Sequence, residues 1–149
     1  MAYADSIRAV TATMSTVASL IEGTLVDKYV ITSVTSHALA TTTLTDMTSM
    51  TQSVTVATGE AVFFYFTGVC TVGTASDGIE LQLNRDATSL CLKQMGSASA
   101  NDGKDMSIVY IDAPAAGTYT YKVQFRNYVG ARTATFFNRQ MVILKVQYT

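Results

Sequence analysis

Apolar and polar residues alternate one by one along most of the last hundred residues of this 149-residue chain. In "TYTYKVQFR" (118–126), Tyr119, Tyr121, Val123 and Phe125 fall on one side, and Thr118, Thr120, Lys122, Gln124 and Arg126 on the other. A period of two is the mark of a strand with one face buried and one face wet. Similar runs are "TQSVTVAT", "EAVFFYFTGVCTV", "IELQLN", "TSLCLKQM", "DMSIVYI", "TATFFN" and "RQMVILKVQYT". Turn chemistry separates them. "TASDG" is a turn, "RDA" is a short hairpin loop in which Asp86 can bond back to the chain, and "GSASANDGK" ends in Asn-Asp-Gly. The lone proline stands in "DAPAAG", just before the most regular alternating run. Pro114 fixes φ and offers no amide hydrogen, so it belongs in a connection. Gly117 tolerates a left-handed backbone and can close that connection, which makes the pair a structural turn. Eight or nine such strands, with no helical period recurring, predict an all-β chain: an antiparallel jelly-roll β-sandwich of about eight strands.

The first 22 residues follow another rule. Ile7, Val10, Met14, Val17 and Ile21 are spaced three, four, three, four, which is a heptad seam. Asp5 or Ser6 can cap its start and Gly23 can end it. Thr11, Thr13 and Thr16 are weak helix formers, and about two heptads do not hold together alone. The seam therefore serves either as a self-associating or attaching arm, or the segment is an amphipathic helix lying on its own domain or a disordered arm. Residues 24–50 are rich in Thr and Ser. "KYVITSVT" (28–35) reads as a strand and "ATTTLTDMTSM" as a linker or edge segment. The expected division is an N-terminal arm at 1–49, part helical or extended, and a jelly-roll domain at 50–149.

Several strands carry apolar residues on both sides. Phe63 and Tyr65 stand opposite Val62, Phe64 and Phe66. Val142, Leu144, Val146 and Tyr148 stand opposite Met141 and Ile143, and Val109 and Ile111 opposite Met106, Ile108 and Tyr110. A two-layer sandwich needs one dry face per strand, and soluble monomers rarely expose the other. Charged residues make up 14% of the chain, against roughly 25% in ordinary soluble domains. Both facts point to a subunit interface on one sheet, with Phe63, Tyr65, Val142, Leu144, Val146 and Tyr148 as its candidates. The competing reading is that loops or the N-terminal segment cover that face.

Catalytic and ligand chemistry has little to stand on. With 10 Lys+Arg against 11 Asp+Glu and no basic run, nucleic acid is a poor partner. His37 has no Cys or His cluster around it and no nucleophile-elbow pattern near it, so neither a metal nor a hydrolytic triad is expected. Cys70 and Cys91 read as small buried hydrophobes rather than a disulfide. No run is long enough to span a membrane, and no secretory signal is recognisable. The expectation is a protein without catalysis, cofactor, membrane or nucleic-acid partner.

The stretch "DAPAAG" leading into "TYTYKVQ" resembles the late strands of trimeric jelly rolls of the tumour-necrosis-factor and complement-globular-head type. "FFNRQMVILKVQ" looks like the last strand, and "SVTVATGEAVFFYFTG" like the early hairpin, of small jelly-roll domains in tailed-phage structural proteins. The resemblance covers about residues 50–148. It implies a homotrimer on the outer surface of a virion, made in the host cytoplasm. Its partners would be its own copies and other virion proteins such as the major capsid protein. Such a protein decorates a capsid through its arm or, alternatively, forms a fibre head that binds a glycan or another host receptor. The resemblance brings no catalytic residues with it.

Overall fold

Alternation turns into two sheets. A computed structural model describes residues 23–96 and 99–148, with no side-chain description for Thr24 and Tyr148. Nine strands follow in order: β1 (Gly23–Ser33), β2 (His37–Leu39), β3 (Thr45–Val56), β4 (Glu60–Val72), β5 (Gly78–Arg85), β6 (Thr88–Gly96), β7 (Lys104–Asp112), β8 (Gly117–Asn127) and β9 (Ala134–Tyr148). Sheet A has the order β1-β9-β4-β7, with β2 added alongside β9, and sheet B the order β3-β8-β5-β6. All pairings are antiparallel.

The pairs nest. β5 pairs with β6, β4 with β7, β3 with β8 and β1 with β9, so the chain is one long hairpin. Rolling it up adds the pairs β4–β9 and β5–β8. That is a jelly roll, two sheets closed over one core.

The core lies between the sheets. Sheet A contributes Val62, Phe64, Phe66, Phe136, Met141 and Ile143, and sheet B contributes Leu81, Leu83, Tyr121, Val123, Phe125 and Val54. Phe125 and Phe136 meet edge-to-face across the gap with centroids 5.0 Å apart, and Phe66 and Phe136 pair edge-to-face within sheet A at 6.2 Å. Cys70 is buried, with its thiol pushed up to about 12 by loss of solvent and by Asp105. Cys91 is half-buried and the two form no disulfide.

Three expectations need correction. Among the described residues the sandwich takes in the chain from Gly23 and does not wait until residue 50, because β1, β2 and the first half of β3 belong to its two sheets. Thr is β-branched and suits a strand, while Tyr29, Ile31, Leu39, Met47 and Met50 point to the core. Bulges between Leu25 and Asp27, and between Asp46 and Thr51, break the period that would have revealed these strands. The seam of Ile7, Val10, Met14, Val17 and Ile21 lies outside the described residues.

"TATFFN" and "RQMVILKVQYT" form the single strand β9, bent at a bulge where Asn138 takes φ 49. Arg139 at that bulge is buried. Its guanidinium donates to Thr48 O at 3.1 Å, Ser33 Oγ at 2.9 Å and Thr35 O at 2.5 Å. Gly68 makes room for it, since a Cβ there would lie 3.2 Å from Arg139 Cγ.

The third correction concerns Gly117. It opens β8 with no left-handed backbone, a conformation that Gly59 (φ 79) does adopt. Its lack of a side chain matters because a Cβ would sit 3.1 Å from Tyr119 Oη, the hydroxyl that donates to Ala115 O at 2.8 Å. Pro114 lies in the crossover from sheet A to sheet B, as its chemistry requires. That crossover is pinned at its start. The Asp112 carboxylate accepts from Arg85 at 2.9 Å and from the buried Tyr121 hydroxyl at 2.6 Å. Burial, and then this bond to Asp112, raise the Tyr121 hydroxyl well above the usual phenol range.

Candidate functional site

Residues paired across antiparallel strands share a face, so register defines the outer side of sheet A. One row runs Val30, Val142, Tyr65, Val109 across β1, β9, β4 and β7. The next runs Lys28, Leu144, Phe63, Ile111. A third brings Leu25 beside Val146 and Ala61. Ten of these eleven side chains are apolar, and Lys28 is the one charge.

The middle strands shield each other while the flanks stand open. Phe63, Tyr65, Val142, Leu144 and Val146 are half-buried. Val109 and Ile111 on β7 remain 58% and 59% exposed, and Leu25 and Val30 on β1 are also exposed. Tyr148 pairs with Gly23 at the end of the ladder, and its side chain lies outside the described residues. Below the patch comes a polar row of Thr67, Gln140 and Ser107, which bounds it.

The six candidates of the sequence reading thus all lie on β4 and β9, and five have described side chains gathered on one surface. Sequence reasoning placed Val109 and Ile111 on a second apolar face but did not add them to the interface. It missed Leu25 and Val30, because β1 was assigned to the arm. The alternation Val30, Tyr29, Lys28 was the available signal, and the bulge after Leu25 obscured it.

What such a surface can do is bury itself. At about 25 cal/mol per Å2, an apolar patch spanning four strands is a source of association energy and not of chemistry. Among the described residues no group of three or more His, Cys, Asp or Glu is placed to hold a metal ion. His37 sits on β2 with its ring edge-on to Phe125 at 5.1 Å, and its Nδ1 accepts from Thr48 N at 3.0 Å. Its role there is to tie β2 to β3.

Comparison with known proteins agrees at the level of fold. No protein-family model matches the sequence, and no curated protein does. Among solved structures, the PRD1 vertex protein P5 is similar over 85% of this chain and 100% of its own, at 12% identity and a TM-score of 0.51. The VP2 subviral particle of infectious bursal disease virus is similar over 83% of this chain and 37% of its own, at 8% identity and a TM-score of 0.47. The C-terminal domain of EclA, a sugar-binding protein, is similar over 73% of this chain and 78% of its own, at 11% identity and a TM-score of 0.46. At such identities the likeness to P5 is one of fold.

Proposed function

We propose that the protein is a non-enzymatic virion structural protein that works as a homotrimer, its subunits joined through the outer face of sheet A. The observation that carries this reading is that face: Val30, Val142, Tyr65 and Val109 over Leu144, Phe63 and Ile111, apolar and open to water in the single chain. The low charged content, 14%, fits a chain whose surface is partly covered by its own copies. The fold shared with a viral vertex protein supports the virion setting.

Within that setting the protein acts as a capsid decoration protein attached through residues 1–22. The sequence seam Ile7, Val10, Met14, Val17 and Ile21 supplies the contact with a partner such as the major capsid protein. The nine described strands from Gly23 onward make up both sheets, so a chain lacking residues 1–22 keeps every one of them.

The test removes residues 1–22. The truncated protein should keep the mass of a trimer and its cooperative melting, and should no longer join particles that lack it. A truncated protein that falls to monomers would make the arm the trimerisation element. That outcome would favour the fibre-head alternative, in which exposed surface meets a receptor. A full-length protein that is monomeric would remove both readings.

A further inference from the structure

Sheet B carries the opposite kind of outer face, and its order calls for an explanation. Register places Arg126 beside Glu80 and Gln94, Gln124 beside Gln82 and Leu92, and Lys122 beside Asn84 and Ser89. Polar residues facing water normally stay mobile and solvated. Here Glu80 is 1% and Asn84 5% exposed, and Gln82 is buried as well.

They are held by one another. Gln82 Nε2 donates to Asn84 Oδ1 at 2.5 Å, Asn84 Nδ2 donates to Gln124 Oε1, and Gln124 Nε2 donates to Asp46 Oδ1 at 2.5 Å. Lys122 Nζ donates to Asp46 Oδ2 at 3.1 Å. Burial pushes the Asp46 carboxyl up, but these two bonds and the Lys122 charge more than reverse it, so it ionises below its ordinary range. The anion at the end of the chain sets the direction of every amide before it. On the neighbouring rung Gln94 Nε2 donates to Glu80 Oε2 at 2.6 Å, and Arg126 Nε lies 2.8 Å from Glu80 Oε1.

A primary amide has two donors and a carbonyl with two lone pairs. The chain uses one donor each of Gln82, Asn84 and Gln124, which leaves each amide a second N–H and further lone pairs; Gln124 is half-buried and the most open of the three, while Gln82 and Asn84 hold it in place from below. At the end of this face stands Tyr128, part exposed, its N donating to Gly78 O at 3.0 Å. Its ring lies against the Gly78 backbone, where an added Cβ would be 2.3 Å from Cζ. From Tyr128 to the Lys122–Asn84 rung is three steps of two residues, about 20 Å along the strands.

We propose that this face binds a neutral oligosaccharide, with the amide chain reading its hydroxyls and Tyr128 stacking on the C–H side of one sugar ring. The chemistry selects that ligand. Paired donors and acceptors at fixed positions match hydroxyls, which are both, and their fixed orientation lowers the entropy lost on binding. An aromatic face attracts weakly positive C–H groups. Each cation on the face already meets a carboxylate, Lys122 with Asp46 and Arg126 with Glu80, so no positive excess is left for phosphate or nucleic acid. Leu92 and Tyr128 are the exposed large apolar side chains here, too few for a protein anchor. The site goes beyond the assembly reading and stands independently of it, since sheets A and B turn their outer faces in opposite directions.

The experiment titrates 15N-labelled full-length protein with cellohexaose, maltohexaose and mannohexaose at up to millimolar concentration, with oligogalacturonate as the charged comparator. Side-chain NH2 resonances of Gln82, Asn84 and Gln124 report directly on the site. At least one neutral hexasaccharide should shift them, and Tyr128→Ala and Asn84→Ala should each weaken binding about tenfold, the loss of roughly one good contact. Tyr128 is part exposed in a loop, so its variant keeps the fold if Asn84→Ala does not. Silence from all three neutral sugars would overturn the proposal. So would preference for oligogalacturonate, or binding that both variants leave unchanged.

Discussion

The two outer faces of one sandwich make a controlled comparison. Both belong to antiparallel sheets of the same chain, and both sheets bury their inner residues in the same core. On sheet B the outward positions are Glu80, Gln82, Asn84, Lys122, Gln124 and Arg126, each held by a neighbour on that face or by Asp46. On sheet A they are Phe63, Tyr65, Val109, Ile111, Val142 and Leu144. A sandwich alone in water would make both faces polar, and sheet B shows that this chain can do so. The apolar face is therefore a departure confined to one sheet, and it marks where water is to be excluded.

Putting a charge on each face breaks the comparison most strongly. Val142→Asp should abolish subunit association, because an unpaired carboxylate buried at an interface costs several kcal/mol. The folded single chain should survive, since Val142 faces outward in it. Leu92→Asp, an apolar-to-acid change on the opposite face, should leave the mass in solution unchanged. Sedimentation and thermal melting of the two variants would check both statements.

A smaller effect belongs to Gly78. Gly78→Val should cost about 1–3 kcal/mol, because its Cβ would meet the Tyr128 ring and push it off sheet B. Chemical denaturation measures the loss, and tyrosine fluorescence the displaced ring. Smaller again, Gln82→Leu should cost about 1 kcal/mol by leaving Asn84 Oδ1 without its donor, with assembly unaffected.

The least effect is one of pH. Burial, and then the Arg139 charge, hold His37 below its ordinary value of 6.5. Its neutral form is the one the fold uses, because Nδ1 accepts from Thr48 N. The unfolded chain thus takes up the proton first. The stability this gives is full above 6.5, declines as pH falls through the lower folded value, and is flat beneath it. His37→Gln should flatten that part of a stability–pH curve. Neither face should respond to the change.

Much of this architecture could be read from alternation alone. Strands β4, β7 and β8 have unbroken periods, and the two-sided pattern of Phe63 and Tyr65 against Phe64 and Phe66 named the apolar face from the sequence. Strands β1 to β3 were hidden because bulges shift the period, and because Thr looks like loop where packing is not visible. The amide chain of sheet B was not legible at all. Gln82 and Gln124 are 42 residues apart in the chain (124 minus 82) and become neighbours through the β5–β8 register. Nor was Arg139, whose three acceptors come from Ser33, Thr35 and Thr48, far away in sequence.

The most direct measurement is the molar mass of the full-length protein by sedimentation equilibrium at micromolar concentration, beside Val142→Asp. The proposed trimer through the outer face of sheet A predicts three times the chain mass for the native protein and a single chain mass for the variant. A native protein that sediments as a monomer, and binds no hydrophobic dye, would contradict it.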